Sequence, residues 1–313
     1  LYIRSERDQM KKIISKILIV ILLISSCIGT INVAPVTVNA ATKTNWPKGP
    51  SIYGQTGVLI EASTGTVLYD KKCNKKMYPA SITKIMTALL AIENCKMNDT
   101  VVYSKKNLDS LTAEDSNIQC QVGEKMSVKD CLYALMLSSA NETATALAEH
   151  IAGSSEAFAK LMNERAKQAG ATDTHFANPN GLHDDDHYST PYDMAMILKA
   201  AMDNDLCREV LGTRTYTTSK SKPHPDGITI SNWFLRRIED KDTHSEIIGA
   251  KTGFVNQSGS CAASMAQTPD GKEYICVTAG STSSWRCIYD HVDIYDAFLP
   301  ETAQPFEGEE VTQ

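Results

Sequence analysis

A serine and a lysine stand three residues apart at Ser81 and Lys84, just after Pro79 and at the front of an apolar segment with helical periodicity. Residues three apart share one face of a helix, so the lysine amine can reach the serine hydroxyl. If burial or a neighbouring cation lowers the pKa of that amine, it can remove the hydroxyl proton and make the serine a nucleophile. Alone this pair is a weak signal, because a serine at a helix start is commonly only a cap.

Two further motifs follow the pair in a fixed order, Ser139-Ala140-Asn141 and then Lys251-Thr252-Gly253. Together the three motifs resemble the penicillin-recognising serine enzymes, whose signature is S-x-x-K, S-x-N and K-T-G. The flanking residues, including the Asn-Pro-Asn-Gly-Leu run at 178–182, are similar to those of the D-alanyl-D-alanine carboxypeptidases, the low-molecular-mass penicillin-binding proteins. The resemblance covers roughly residues 51 to 299.

The resemblance implies a catalytic role for three side chains. Ser81 would be the acylated nucleophile, and its own backbone N–H at the helix start would form half of an oxyanion hole. Lys84 would be the base. Ser139 would relay a proton toward the leaving amine.

The resemblance also implies a substrate-binding role for five residues. Asn141 would hydrogen-bond the substrate amide, and Lys251 would supply the positive charge beside Lys84 and attract the substrate carboxylate. Thr252 would hold that carboxylate through its hydroxyl. Gly253 would let an extended substrate pass along the strand edge, and the backbone N–H of Phe254 would be the second oxyanion donor.

Strand signals occupy both ends of the chain, with helical signals between them. A hairpin is predicted at 57–62 and 66–70. Helices are predicted over 81–94, 127–137, 141–151, 155–169 and 190–202, and three C-terminal strands over 247–253, 258–267 and 272–279 precede a closing helix at 285–298.

This order suggests one sheet that both chain ends build. The resemblance implies the matching fold class, α/β of the α+β type with the β-lactamase/DD-peptidase-like fold. In that fold a mainly antiparallel sheet is flanked by helices, an all-helical region is inserted, and the active site lies at the seam.

A secretory leader is indicated before the catalytic region. Lys11, Lys12 and Lys16 precede an apolar run at 17–24, and Ala40 ends a plausible cleavage site. The predicted organisation is an N-terminal extension with signal peptide at 1–40, a linker at 41–50, a DD-peptidase catalytic domain at 51–300 and an acidic tail at 301–313. A membrane anchor in place of the leader, or lipidation at Cys27, are the alternatives to a cleaved and exported chain.

The net charge of the chain argues against some classes of binding partner. The net charge is −6 over 313 residues, and removing the basic leader makes the remainder more acidic. An acidic chain argues against nucleic acid and against adhesion to anionic lipid. No C-terminal anchor is apparent after residue 300. By resemblance the partners are a peptidoglycan stem peptide ending in D-Ala-D-Ala and β-lactam antibiotics as covalent inhibitors, with no cofactor.

Three groups of residues leave alternatives open. The nine cysteines have no zinc-type spacing, and either disulfides or free thiols fit them. His183 and His187 flank three aspartates. This segment is either a polar surface loop or a metal site. Arg286, near the last strand, is read as a surface residue or as a contact to the substrate carboxylate.

Three functions compete. A carboxypeptidase would remove the terminal D-alanine from the stem peptide. A β-lactamase of the same fold needs a deacylating carboxylate such as the class A glutamate. The acidic residues within 171–190 are all aspartates, and none is a glutamate. A non-catalytic wall-binding or penicillin-sensing protein would have no need of the complete set of reactive residues.

Overall fold

The N-terminal hairpin forms one side of the main sheet. The structure is a computed structural model that describes residues 49–109 and 111–299. Strand β1 (Thr56–Glu61) pairs antiparallel with β2 (Val67–Lys71). Gly65 in the connecting turn has a φ of 71°, which glycine adopts without a steric penalty. The predicted hairpin is confirmed.

A mainly helical region follows. A single 3-10 turn, Ala80–Thr83, leads into α1 (Lys84–Asn94). The next elements are β3 (Thr100–Val102), α2 (Lys105–Asp109), β4 (Lys125–Ser127), α3 (Val128–Leu137), α4 (Asn141–Ala152), α5 (Ser155–Gln168), α6 (Pro191–Met202) and α7 (Asp205–Gly212).

Local signals explain where these helices begin. The Ser127 hydroxyl accepts a hydrogen bond from the Asp130 backbone N–H at the start of α3. Thr190 caps α6 in the same way, and Pro191 occupies the first helical position, where its missing N–H has no cost. Apolar positions on α1, α3 and α4 pack into one core with the inner face of the sheet.

The region predicted to be helical also contains two short β pairs that were not predicted. β3 pairs with β4 inside it, and β5 (Thr215–Thr217) pairs with β6 (Thr229–Ser231) at its end. These strands have three residues each, too few for an alternating pattern to be read from the sequence. A short helix, α8 (Leu235–Ile238), leads back to the main sheet.

The C-terminal third completes the sheet. β7 (Glu246–Val255), β8 (Gly259–Gln267) and β9 (Glu273–Ser281) are followed by α9 (Ser284–Phe298). The strand order is β2-β1-β9-β8-β7, and each neighbouring pair is antiparallel. The last strand therefore joins the first, which confirms that both chain ends build the sheet.

Helices cover both faces of the sheet. The smaller apolar core lies on the α9 side, where Leu59 and Cys276 of the sheet meet Ile294 and Tyr295. Among the described residues, none of the helices combines the length and the apolar character that crossing a bilayer requires. The predicted leader, Cys27, most of the linker and the acidic tail lie outside the described residues, so the domain boundaries stay predictions.

Candidate active site

The serine and lysine of the first motif are in contact. Ser81 lies in the 3-10 turn and Lys84 is the first residue of α1, so the chain folds one turn between them. Lys84 Nζ lies 2.8 Å from Ser81 Oγ. The helix was predicted to begin at Ser81 as an α-helix. The turn is tighter than predicted, and Ala80, the residue before Ser81, has a φ of 49°.

The Lys84 amine is enclosed by fixed oxygen atoms. Lys84 is fully buried, and its Nζ lies 2.7 Å from Asn141 Oδ1 and 2.6 Å from the Asn180 carbonyl oxygen. Burial lowers the pKa of this amine well below its usual value, and the neighbouring Lys251 lowers it further. A neutral amine has two N–H groups and one lone pair. The two carbonyl oxygens accept the N–H groups, which leaves the lone pair for the Ser81 hydroxyl.

Lys251 joins the second and third motifs. Its Nζ lies 3.0 Å from Ser139 Oγ and 2.8 Å from the Thr252 carbonyl oxygen. Burial lowers the pKa of the Lys251 amine to about 7. Ser139 has a φ of 59°, a left-handed conformation that is uncommon outside glycine. The backbone is thus bent at the residue that brings this hydroxyl to the lysine.

Strand β7 passes very close to the nucleophile, and this approach requires a glycine. A Cβ atom on Gly253 would lie 2.7 Å from the Ser81 backbone nitrogen and 3.0 Å from the Pro79 carbonyl oxygen. Within the described residues, β7 is one of the two edge strands of the sheet and pairs with β8. The outer edge of β7 can therefore pair with an extended peptide next to Ser81.

A cleft with a volume of about 480 Å³ opens over these residues. Residues of all three motifs line it, namely Ser81, Ser139, Asn141, Thr252, Gly253 and also Phe254. The Phe254 side chain is 62% exposed. A second cavity of about 590 Å³ is lined by Lys75, Tyr78 and Tyr188 instead, so the reactive groups belong to the smaller cleft.

The segment that forms one wall of the cleft was not predicted from the sequence. Thr112, Glu114, Asp115 and Ser116 line it. The Asn141 backbone N–H donates to the Ser116 carbonyl oxygen at 2.9 Å. This segment has no periodic pattern, and nothing in its composition indicates the cleft.

Two further residues behind the cleft were also missed. Glu142 is fully buried, and its Oε1 accepts a hydrogen bond from the Ile118 N–H at 2.7 Å. Burial raises the pKa of its carboxyl group. Asn180 belongs to the Asn-Pro-Asn-Gly-Leu run that carried part of the resemblance, which was a usable signal for its contact with Lys84.

The structure separates the histidines of the polar loop. His187 is buried, and its Nδ1 accepts from the Ala177 N–H, so its Nε2 carries the proton toward Thr83 Oγ1 at 2.8 Å. Burial lowers the pKa of His187 to about 4. Both ring nitrogens are thus occupied by protein partners. His183 instead lines the cleft, with its ring edge against Tyr78.

Arg286 is exposed in the first turn of α9. Its guanidinium stacks 4.7 Å from the Tyr53 ring centre and donates to Thr282 Oγ1 at 2.6 Å. It is absent from the lining of the cleft within the described chain. This placement agrees with the reading of Arg286 as a surface residue.

Known proteins resemble this chain in sequence. A family model described as D-alanyl-D-alanine carboxypeptidase matches residues 41–283. The carboxypeptidase DacF of Bacillus subtilis is 33% identical over 237 residues, which cover 74% of this chain and 59% of that protein. The D-alanyl-D-alanine carboxypeptidase of Streptomyces sp. strain K15 is 33% identical over 264 residues, covering 82% of this chain and 87% of the relative.

Solved structures agree with the fold. The crystal structure of the Streptomyces K15 DD-transpeptidase has a TM-score of 0.72 and 30% sequence identity, covering 80% of this chain and 98% of that one. The DacD carboxypeptidase of Francisella tularensis has a TM-score of 0.71 at 25% identity, covering 82% and 73%. The predicted fold class is confirmed, and the chain belongs to the D-alanyl-D-alanine carboxypeptidase family.

Proposed function

We propose that this protein is a serine-type D-Ala-D-Ala carboxypeptidase in which Ser81 is the acylated nucleophile. The observation that carries the proposal is the 2.8 Å contact between Ser81 Oγ and a buried lysine amine of lowered pKa. A neutral amine at this distance is a general base for the hydroxyl. The substrate would be the stem peptide of peptidoglycan, which ends in D-Ala-D-Ala.

Acylation begins with a proton transfer. The Ser81 hydroxyl proton moves to Lys84 Nζ, and Oγ attacks the carbonyl carbon of the penultimate D-alanine. The backbone N–H groups of Ser81 and Phe254 stabilise the resulting oxyanion. As the C–N bond breaks, the Ser139 hydroxyl, in contact with Lys251, passes its proton to the leaving D-alanine amine and takes up the proton held by Lys84, which becomes neutral again.

Substrate binding uses the edge of β7. The stem peptide lies antiparallel or parallel to this edge, and Gly253 leaves room for it beside Ser81. The Thr252 hydroxyl and the Lys251 charge hold the terminal carboxylate. The Asn141 side chain hydrogen-bonds the peptide amide while its oxygen also fixes Lys84.

A β-lactam presents a strained amide and a carboxylate that mimic the same peptide end. Ser81 opens the ring, and the opened ring stays attached and obstructs water. Fast release needs a carboxylate that activates water from another side. The segment in which a class A-type glutamate was sought, residues 171–190, has four aspartates and no glutamate. We therefore infer a long-lived penicillin adduct.

The test compares Ser81→Ala with Ser51→Ala, an exposed serine outside the cleft. Purified proteins are incubated with a peptide ending in D-Ala-D-Ala, and released D-alanine is measured. Penicillin adducts are followed by intact mass. We expect both activities to vanish only in Ser81→Ala. D-alanine release above about 1% of the unchanged protein would contradict the assignment, because loss of a nucleophile lowers rates by several orders of magnitude.

The same acyl-enzyme can react with an amine instead of water. The solved Streptomyces K15 relative is named a DD-transpeptidase, which favours transpeptidation as a second candidate. Adding a glycyl peptide as acceptor and measuring the ratio of hydrolysed to transferred product decides between them. Fast penicillin turnover without an adduct would instead indicate a β-lactamase.

Action on the stem peptide places the enzyme outside the cytoplasmic membrane. The basic and apolar leader before Ala41 supports export. N-terminal sequencing of the secreted protein should give a start near Ala41. A blocked, lipidated start at Cys27 would contradict cleavage at that site.

A further inference from the structure

Three side chains of different chemistry converge far from the cleft. The thiol of Cys95, a carboxylate oxygen of Asp99 and a ring nitrogen of His150 all lie within 4.8 Å of one another. Cys95 directly follows α1, Asp99 precedes β3, and His150 belongs to the last turn of α4. We propose that these three residues bind one zinc ion. This inference does not depend on the proposed function of the cleft.

The spacing suits a tetrahedral metal after small side-chain rotations. Zinc lies about 2.3 Å from sulfur and about 2.0 to 2.2 Å from nitrogen and oxygen, so its ligand atoms are separated by about 3.5 Å. The His150 side chain is exposed, and Cys95 and Asp99 are partly buried. The imidazole can therefore turn toward the other two ligands without disturbing the core.

Backbone hydrogen bonds hold the two partly buried ligands in place. The Cys95 N–H donates to the Ala91 carbonyl oxygen at 3.0 Å, and the Asp99 carbonyl oxygen accepts from the Val128 N–H at 2.9 Å. Asp99 Oδ2 accepts from the Lys96 N–H at 2.9 Å. This contact orients the carboxylate as a supporting residue does in metal sites and leaves its other oxygen for the ion.

The ligand set selects zinc by its chemistry. A thiolate disfavours calcium and magnesium, which prefer oxygen ligands, whereas sulfur, imidazole and carboxylate together suit zinc. Binding forms the sulfur–zinc bond as the Cys95 thiol loses its proton to solvent, and no electrons are transferred. Three protein ligands leave the fourth position for water.

The position of the cluster gives the ion a structural role. α1 begins at Lys84 and α4 begins at Asn141, and the two helices pack together. Cys95 and His150 lie near the opposite ends of these helices, about 14 to 17 Å along the axes by helical rise. Zinc would thus link the ends remote from the cleft and stabilise the folded chain, because it binds the folded state.

The test uses the full chain with zinc as the probe. Affinity is measured by competition with a chromophoric chelator, and thermal unfolding is followed with and without zinc. Cys95→Ser and His150→Ala are compared with His175→Ala, an exposed histidine outside the cluster. We expect one zinc per chain, a raised unfolding temperature, and at least about a tenfold loss of affinity in the first two variants only.

Cobalt supplies a second readout that does not depend on stability. Replacing zinc with Co²⁺ should give a thiolate charge-transfer absorption band that is lost in Cys95→Ser. Zinc binding that is equal in all variants, a cobalt spectrum without the thiolate band, or no binding at micromolar zinc would each overturn the proposal.

Discussion

At the scale of single residues, the two buried lysines have opposite requirements. In the proposed mechanism Lys84 acts as a base only when it is neutral, so acylation should increase as the pH rises through its lowered pKa. Lys251 attracts a carboxylate only when it is charged, and burial lowers its pKa to about 7. The sign of the two effects predicts a bell-shaped pH profile for kcat/KM, with an alkaline limb near pH 7.

The alkaline limb can be assigned with Lys251→Arg. A guanidinium stays charged throughout the neutral range, so the variant should lose the decrease above about pH 7 even where its kcat/KM is lower. The pH profile of D-alanine release measures this, with Lys160→Arg, an exposed lysine on α5, as the matched control. An unchanged alkaline limb would mean that another group sets it.

The buried Glu142 carboxyl group is expected to raise the pKa of Lys84. Its negative charge stabilises the protonated form of Lys84 and so raises that pKa. Glu142→Gln keeps an oxygen for the Ile118 N–H but removes the charge. The acidic limb of the kcat/KM profile should therefore move to lower pH, by up to about one unit. A limb that stays in place or moves to higher pH would contradict this electrostatic role.

At the scale of elements, the close packing of β7 on the 3-10 turn is the most sensitive contact. Gly253→Ala would force the strand away from the Ser81 nitrogen, which its Cβ would approach to 2.7 Å. A displacement of about 1 Å at a reacting group costs about 100-fold in rate. We expect a fall in kcat/KM of that order, measured by D-alanine release and by the rate of penicillin acylation.

Gly271→Ala is the control for this substitution. Gly271 lies in the turn between β8 and β9 with a φ of 82°, and no atom would lie within 4 Å of a new Cβ. The variant should lose about 1 kcal/mol of stability through backbone strain and keep its kcat/KM. Equal activity in both glycine variants would mean that the β7 contact does not position Ser81.

Elements also show how far the sequence could predict the site. The three motifs predicted which residues lie together in the cleft, because Ser81, Ser139 and Lys251 each belong to one motif of the family signature. The 3-10 turn was not predictable, since it begins at Ala80 with a positive φ, which is uncommon for residues other than glycine. The cleft wall at 112–116 was missed because irregular backbone leaves no periodic pattern.

At the scale of the whole molecule, the fold is held without disulfides in the described part of the chain. The eight cysteines there are all free, and seven of them are buried. Buried thiols act as small apolar side chains. Of the two possibilities that the sequence left open, the structure contains free thiols.

Because the described cysteines are free thiols, we expect a reductant to have no effect on the stability of the fold. A disulfide contributes about 2 to 4 kcal/mol, which would shift the unfolding temperature by several degrees. We expect the same unfolding temperature with and without dithiothreitol, and all thiols should react with Ellman's reagent in denaturant. A marked decrease in the unfolding temperature on reduction would show a bridge that the structure lacks.

The pairing of β1 with β9 has a consequence for timing during synthesis. Strand β1 can pair with β9 only after β9, the last strand, has been synthesised. Lys251 contacts Ser139, which lies 112 positions earlier in the chain. A nascent chain that ends before β9 has Ser81 and Lys84 but cannot anchor the strand that carries the second lysine. We therefore expect Ser81 to be unreactive in the nascent chain and to become reactive only after β9 has paired with β1 and β8.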